Sequence, residues 1–259
     1  MTSPRFRASA LVAVAAALFG CASVSSGGSN VEHFTVDSRL VHSDLEQITI
    51  RSGSNRPLLV LLHGRGGRPN DLLGLLEAAL RRLGKRAPDV LLVNGGDSSY
   101  YHDRRDGKWG AYVLREAIPA AIGRLDADRE RVAIGGMSMG GFGALDLARI
   151  APGRFCAVGG HSAALWRKGG ETPAGAFDDA ADFARHDLFA KGRYRMPVWL
   201  DVGADDPFRS AETAFAQRLR ARGARVTFRV WPGGHAFSYW EAHLDAYLRF
   251  YETALGSCR

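Results

Sequence analysis

From position 31 onward, short apolar runs alternate with segments whose apolar residues recur at helical spacing. Runs at 58–62, 90–93, 131–135, 155–158, 198–202 and 226–231 predict strands. The first of these is apolar throughout, as expected of a strand covered on both faces. Two shorter alternating pieces at 35–36 and 46–51 suit an antiparallel start. Helices are predicted at 71–83, 111–125, 142–150, 211–222 and 239–255. The first of them carries Leu72, Leu75, Leu76, Ala79, Leu80 and Leu83 on one face, with Asn70 as its cap. Pro119 should kink or divide the second.

Strand and helix in alternation predict an α/β fold, a mostly parallel central sheet with helices on both faces. Positions 166–195 break the rhythm with Gly169, Gly170, Pro173 and Gly175 around one helical core at 178–189. That segment is expected to be an insertion, a small lid over a site. One domain over 33–259 accounts for the pattern, and no internal repeat occurs.

Composition changes little: 46% of the 259 residues are hydrophobic, enough for a substantial core. The formal net charge of +7 suggests an anionic partner, but acidic and basic residues are interleaved and no nucleic-acid motif accompanies them. Arg218, Arg220 and Arg222 read as a solvated helix face. Residues 1–20 are different in kind. Arg5 and Arg7 precede an apolar run at 8–19 that is too short to span a membrane, the pattern of an export signal. The run ends in Leu18-Phe19-Gly20-Cys21, which resembles a bacterial lipobox and implies lipidation of Cys21. Simple secretion with cleavage near Ala22-Ser23 is the alternative. Residues 21–32, rich in Ser and Gly, are expected to be a flexible tether. In an exported chain Cys156 and Cys258 could pair, or Cys156 could be a buried free thiol.

The segment Gly135-Gly136-Met137-Ser138-Met139-Gly140-Gly141 contains G-x-S-x-G directly between an apolar run and a helical pattern. A serine on a sharp strand-to-helix turn points its hydroxyl out of the fold, so its neighbours two positions away must be small. In a chain with 31 glycines, chance alone gives on the order of 0.2 such matches. The context makes Ser138 a candidate nucleophile.

A serine hydroxyl needs a base, and the base an orienting carboxylate. In this architecture the order is serine, acid, histidine. His235 follows the last predicted strand in Gly233-Gly234-His235 and is the candidate base. His186 falls in the insertion and His243 inside a helix. His161 precedes any acid and is placed in the pocket wall instead. Gly203-Ala204-Asp205-Asp206 offers the acid, and Asp206 is preferred on the G-x-x-D spacing common in this fold, with Asp205 as alternative. Backbone N–H groups of Met139 and of Arg65, in His63-Gly64-Arg65-Gly66-Gly67, are the candidate oxyanion donors. His63 is expected to brace that loop. Tyr101, His102 and Trp109 follow a strand end and are candidate substrate contacts.

Together H-G-x-G-G, GGMSMGGFGAL, G-x-x-D and GGHAFSYW resemble the esterase branch of the α/β hydrolases, which includes esterase D, feruloyl and acetyl esterases and secreted mycolyltransferases. The resemblance runs from about residue 58 to the end. It implies that Ser138, Asp206 and His235 match the family triad and that Met139 and Arg65 match its oxyanion positions. It further implies an α/β-hydrolase fold and ester hydrolysis through an acyl-enzyme, with no metal or cofactor. The H-G start of the early loop differs from the LDG type of the mycolyltransferases, and an exported chain does not suit cytosolic formaldehyde detoxification. The expected partners are a small-molecule or cell-envelope ester and, through Cys21, the membrane; nucleic acid is not expected. Transfer of the acyl group to a sugar or lipid alcohol is one alternative. A non-catalytic cell-surface binding module is another.

Overall fold

Alternate side chains of each central strand enter two separate cores, one on each face of a single sheet. The computed structural model describes Met1 and residues 30–258. The rest of the expected leader, Cys21 and the tether up to residue 29 lie outside the described residues. Val31 and Glu32, assigned above to the tether, are already in a strand and pair with Ile50 and Thr49.

In chain order the elements are β1 (Val31–Ser38), β2 (Ser43–Ile50), β3 (Pro57–Leu62), α1 (Pro69–Leu83), β4 (Asp89–Val93), a small hairpin of β5 (Asp103–Arg104) and β6 (Gly107–Lys108), α2 (Trp109–Tyr112), α3 (Ile118–Leu125), β7 (Asp128–Met137), α4 (Met139–Ile150), β8 (Ala157–His161), α5 (Ala180–His186), α6 (Leu188–Lys191), β9 (Val198–Gly203), α7 (Arg209–Ala221), β10 (Val226–Trp231) and α8 (Phe237–Gly256). The sheet order is β1-β2-β4-β3-β7-β8-β9-β10. β1 is antiparallel to β2, and β2 to β4. From β4 to β10 every pairing is parallel.

On β3, Leu58, Val60 and Leu62 join one core and Leu59 and Leu61 the other. The first core is closed by α3, α4 and α7 through Ile118, Leu145 and Phe215. The second is closed by α1 and α8 through Leu72, Leu76, Tyr247 and Tyr251. Each such side chain contributes about 1.5–3 kcal/mol when fully buried. This arrangement leaves the C-terminal ends of six parallel strands free to carry loops.

Several local expectations shift. Arg68, not Asn70, caps α1, because Pro69 suits the first helical position and Asp71 returns a carboxylate oxygen to the Arg68 N–H at 2.7 Å. The helix expected at 111–125 is divided. Between α2 and α3, Val113–Ala117 form a π-turn just before Pro119, whose ring and missing N–H do not fit a regular α-helical ladder. β8 starts two residues later than expected and ends on Gly159, Gly160 and His161, which carry no apolar signal. The helical core expected at 178–189 is two short helices, capped by Asp179 and Asp187. Cys156 and Cys258 form a disulfide, with Cα atoms 5.6 Å apart, that fastens the segment after α8 to the residue before β8.

Candidate active site

A single residue, Ser138, separates β7 from α4. Its backbone is at φ 54°, ψ −114°. A non-glycine residue held there costs on the order of 1–3 kcal/mol. Surrounding hydrogen bonds hold it: the Ser138 N–H donates to the His161 carbonyl at 3.0 Å, and the Ser138 carbonyl accepts from Phe142 and Ala164 at 3.1 and 3.0 Å. The flanking glycines are required by contact. A Cβ on Gly140 would run into the Leu62 carbonyl, and one on Gly136 into the backbone of Gly140.

The turn aims the Ser138 hydroxyl at His235. Ser138 Oγ lies 2.8 Å from His235 Nε2, and His235 Nδ1 lies 2.8 Å from Asp206 Oδ2. The carboxylate accepts, so Nδ1 carries the proton and Nε2 presents its lone pair to the hydroxyl. The other Asp206 oxygen accepts from the Phe208 N–H at 2.8 Å. Burial pushes the Asp206 carboxyl up, but the hydrogen bonds from His235 and Phe208 outweigh it and leave its pKa below the ordinary value. Asp205 is exposed and takes part only through its backbone, donating to the Gly233 carbonyl at 2.9 Å and so tying down the loop that carries His235.

Met139 is the first residue of α4, where an N–H has no intrahelical acceptor. Gly64 lies against Ser138, close enough that a Cβ there would meet the Ser138 Cβ at 3.6 Å. The Arg65 N–H makes no hydrogen bond among the described residues. His63 braces this loop: Nδ1 donates to the Gly64 carbonyl at 2.8 Å and Nε2 accepts from the Gly95 N–H at 3.1 Å. Its burial lowers its pKa, which fits the neutral ring these bonds require. Met139 follows Ser138 directly and Arg65 lines the same cavity as Ser138, so both N–H groups are candidate donors to a tetrahedral oxyanion.

The hydroxyl opens into a cavity of about 560 Å³. Tyr100, Trp166, Phe208, Phe237 and Trp240 give it aromatic walls, and Thr172 and Pro173 of the insertion close one side. The four residues expected to touch substrate do not line it. Tyr101 is fully buried and donates its hydroxyl to the His63 carbonyl at 3.2 Å. His102 is buried against the Ala176 carbonyl. Trp109 packs on Gly96 and Tyr112. His161 lies under the elbow, bonded to Asp201 and Tyr251. Position after a strand end placed these residues near the site, but their side chains point into the core. Tyr100, next in sequence to Tyr101, lines the cavity instead.

Asp201 lies on β9, just before the loop that carries Asp206. It is the centre of a buried network. Its Oδ1 accepts from His161 Nδ1 at 2.7 Å and Trp199 Nε1 at 2.8 Å, and its Oδ2 from Tyr239 at 3.0 Å and Tyr247 at 2.7 Å. Tyr251 donates to His161 Nε2 at 2.9 Å. Desolvation, then the Asp201 charge, push the Tyr247 hydroxyl far up, so it stays a donor. The backbones of this network hold the elbow: His161 accepts from the Ser138 N–H, and the Asp201 carbonyl accepts from Ser162 at 2.7 Å. Nearby, Glu212 is fully buried with neither oxygen hydrogen-bonded. Burial first, then Asp201, raise its pKa well above the usual range, against a weaker pull from the Ala163 N–H.

With this geometry in view, comparison with known proteins is informative. The Esterase family model, described as "Putative esterase", matches residues 52–251. The S-formylglutathione hydrolase of Paracoccus denitrificans is 29% identical over 182 residues, covering 62% of this chain and 64% of that protein. Esterase Rv1288 of Mycobacterium tuberculosis is 29% identical over 180 residues, covering 65% of this chain and 39% of that protein. The chain thus spans less than two thirds of the length of these curated relatives. A ferulic acid esterase structure superposes with a TM-score of 0.75 at 23% identity, covering 86% of this chain and 97% of that one. That likeness is one of fold.

Proposed function

The chain belongs to the esterase family of the α/β hydrolases, and on that premise we propose that it is an exported serine esterase that hydrolyses carboxylic esters through an acyl-enzyme on Ser138. The observation that carries this reading is the relay of Ser138, His235 and Asp206, joined by two 2.8 Å hydrogen bonds and opening into an aromatic cavity. His235 takes the hydroxyl proton as Ser138 Oγ attacks the ester carbonyl. Asp206 keeps the imidazole in the required tautomer and stabilises the imidazolium. The Met139 and Arg65 N–H groups receive the oxyanion. His235 then protonates the departing alcohol, and in the second half it deprotonates the water that releases the acid.

The basic-then-apolar pattern of residues 1–20 supports export, and Cys21 supports a lipid anchor to the membrane. The disulfide supports an oxidising compartment. Short aryl esters are the substrates for a direct test, together with a fluorophosphonate probe. Wild type should turn over the former and be labelled by the latter, and Ser138→Ala should do neither. Turnover in that variant equal to wild type would refute the assignment. Mass spectrometry reads the anchor: a diacylglyceryl-modified Cys21 at the mature terminus is expected, and an unmodified terminus beyond Cys21 refutes it.

A further inference from the structure

Away from Ser138, three potential ligands come together from distant parts of the chain. His102 follows β4, and Asp182 and His186 lie one turn apart on α5 in the insertion. Their ligand atoms all lie within 4.8 Å of one another. Both imidazoles are fixed with a bare nitrogen turned inward. His102 Nε2 lies 3.0 Å from the Ala176 carbonyl, which can only accept, so Nε2 carries the proton. Its buried Nδ1 is left without a partner. His186 Nδ1 donates to the buried carboxylate of Asp146 at 2.7 Å, so in the neutral ring Nε2 keeps its lone pair. Asp182 Oδ1 stands 3.8 Å from His102 Nδ1 and 3.8 Å from His186 Nε2.

Those spacings are too long for hydrogen bonds. Both approach the edge of a zinc tetrahedron, about 3.3 Å for bonds of about 2.0–2.1 Å, and the third edge, between the two imidazole nitrogens, is within 4.8 Å, so a small inward closure would bring the three donors to one ion. Three acceptors facing one another are otherwise unfavourable; Arg185 reaches Asp182 Oδ1 at 2.9 Å from the solvent side, and the Asp178 N–H donates to Asp182 Oδ2 at 2.9 Å. The Asp146–His186 pair is the carboxylate-to-histidine arrangement that orients metal-bound imidazoles. Phe177 stacks on His102 at 4.9 Å and shields the cluster.

We propose that His102, Asp182 and His186 bind one divalent transition-metal ion, zinc by preference, which clips the insertion to the loop after β4. The donor set of two imidazoles and one carboxylate suits zinc, with a water as fourth ligand. The clip matters because both of its halves line the cavity: Tyr100 lies two residues before His102, and Thr172 and Pro173 precede α5 in the insertion.

Tag-free, chelator-stripped protein is titrated with Zn²⁺ and, separately, with Co²⁺. One ion per chain is expected, with the visible absorption of four-coordinate Co²⁺ and a melting temperature that climbs with free Zn²⁺. His186→Gln and His102→Gln should each weaken binding at least about 100-fold, and Asp146→Asn about 10–100-fold as an orienting partner. Circular dichroism shows whether each variant folds. X-ray absorption on the wild-type zinc complex needs no variant: two imidazoles with oxygen ligands support the site, and any other set overturns it. Absence of stoichiometric binding at micromolar metal, or undiminished affinity in a folded His186→Gln, overturns it equally.

Discussion

Replacing Cys258 by serine removes a covalent link without disturbing the site, so its effect can be worked from chain statistics. The disulfide joins residues 102 apart in sequence. Closing a loop of that size in the unfolded chain is worth about 4.7 kcal/mol in the chain-entropy model. For a domain of this size each kcal/mol moves the melting temperature by about 2–4 °C, so the loss amounts to roughly 10–20 °C. Cys258 is the better partner to replace, because it is partly exposed while Cys156 is buried. Scanning calorimetry of oxidised wild type, reduced wild type and Cys258→Ser makes the comparison. The last two should melt together, well below the first, and reductant should not move the variant. A gap of less than about 3 °C between oxidised wild type and variant would refute the reasoning. It would mean that α8 is held by Tyr247, Leu248 and Tyr251 alone, or that the unfolded chain gains little freedom from the cut.

Other outcomes follow from the same geometry. Asp206→Asn should lower turnover of aryl esters by about 10⁴-fold at neutral pH while Asp205→Asn stays within about twofold, and similar losses in both would reassign the acid. Gly140→Ala should cost at least about 1–3 kcal/mol or prevent folding, read as urea-unfolding midpoint or soluble yield, because its Cβ meets a backbone carbonyl that cannot move aside. Glu212 has a raised pKa in the folded state, so above the ordinary carboxylate range the folded form binds the more protons and loses stability from this group as pH rises. Glu212→Gln should therefore melt higher than wild type at pH 8, with the gap shrinking toward pH 4; a gap independent of pH would count against a buried, protonated Glu212.

What could be read from the chain was what depends on near neighbours. The elbow is local, since strand, small residues, serine and helix lie within one short stretch. Asp206 and His235 needed only chain order and strand ends. Side-chain direction was not legible. Tyr100 and Tyr101 both have positive φ, 51° and 57°, and this pair of left-handed residues turns one ring into the cavity and the other beneath Gly143. No periodicity announces such a pair. Asp201 and its partners were equally hidden, because His161, Trp199, Tyr239, Tyr247 and Tyr251 come from two strands and the last helix. The cluster of His102, Asp182 and His186 has no motif spacing, because it exists only once the insertion folds back across the loop after β4.

His235 hangs between β10 and α8, and β10 is the last strand of the sheet, paired on one side only. Its residues are half-buried or exposed, whereas those of β9 beside it are buried throughout. The proposed base therefore rides on the margin of the fold, and Ser138 stands near its middle. Margins open before centres do. A brief detachment of β10 would carry the imidazole away from Ser138 with most of both cores undisturbed. Heat should thus extinguish catalysis some degrees before the calorimetric transition, with recovery on cooling. The working lifetime of the protein would be set by its outermost strand and not by the stability of the whole.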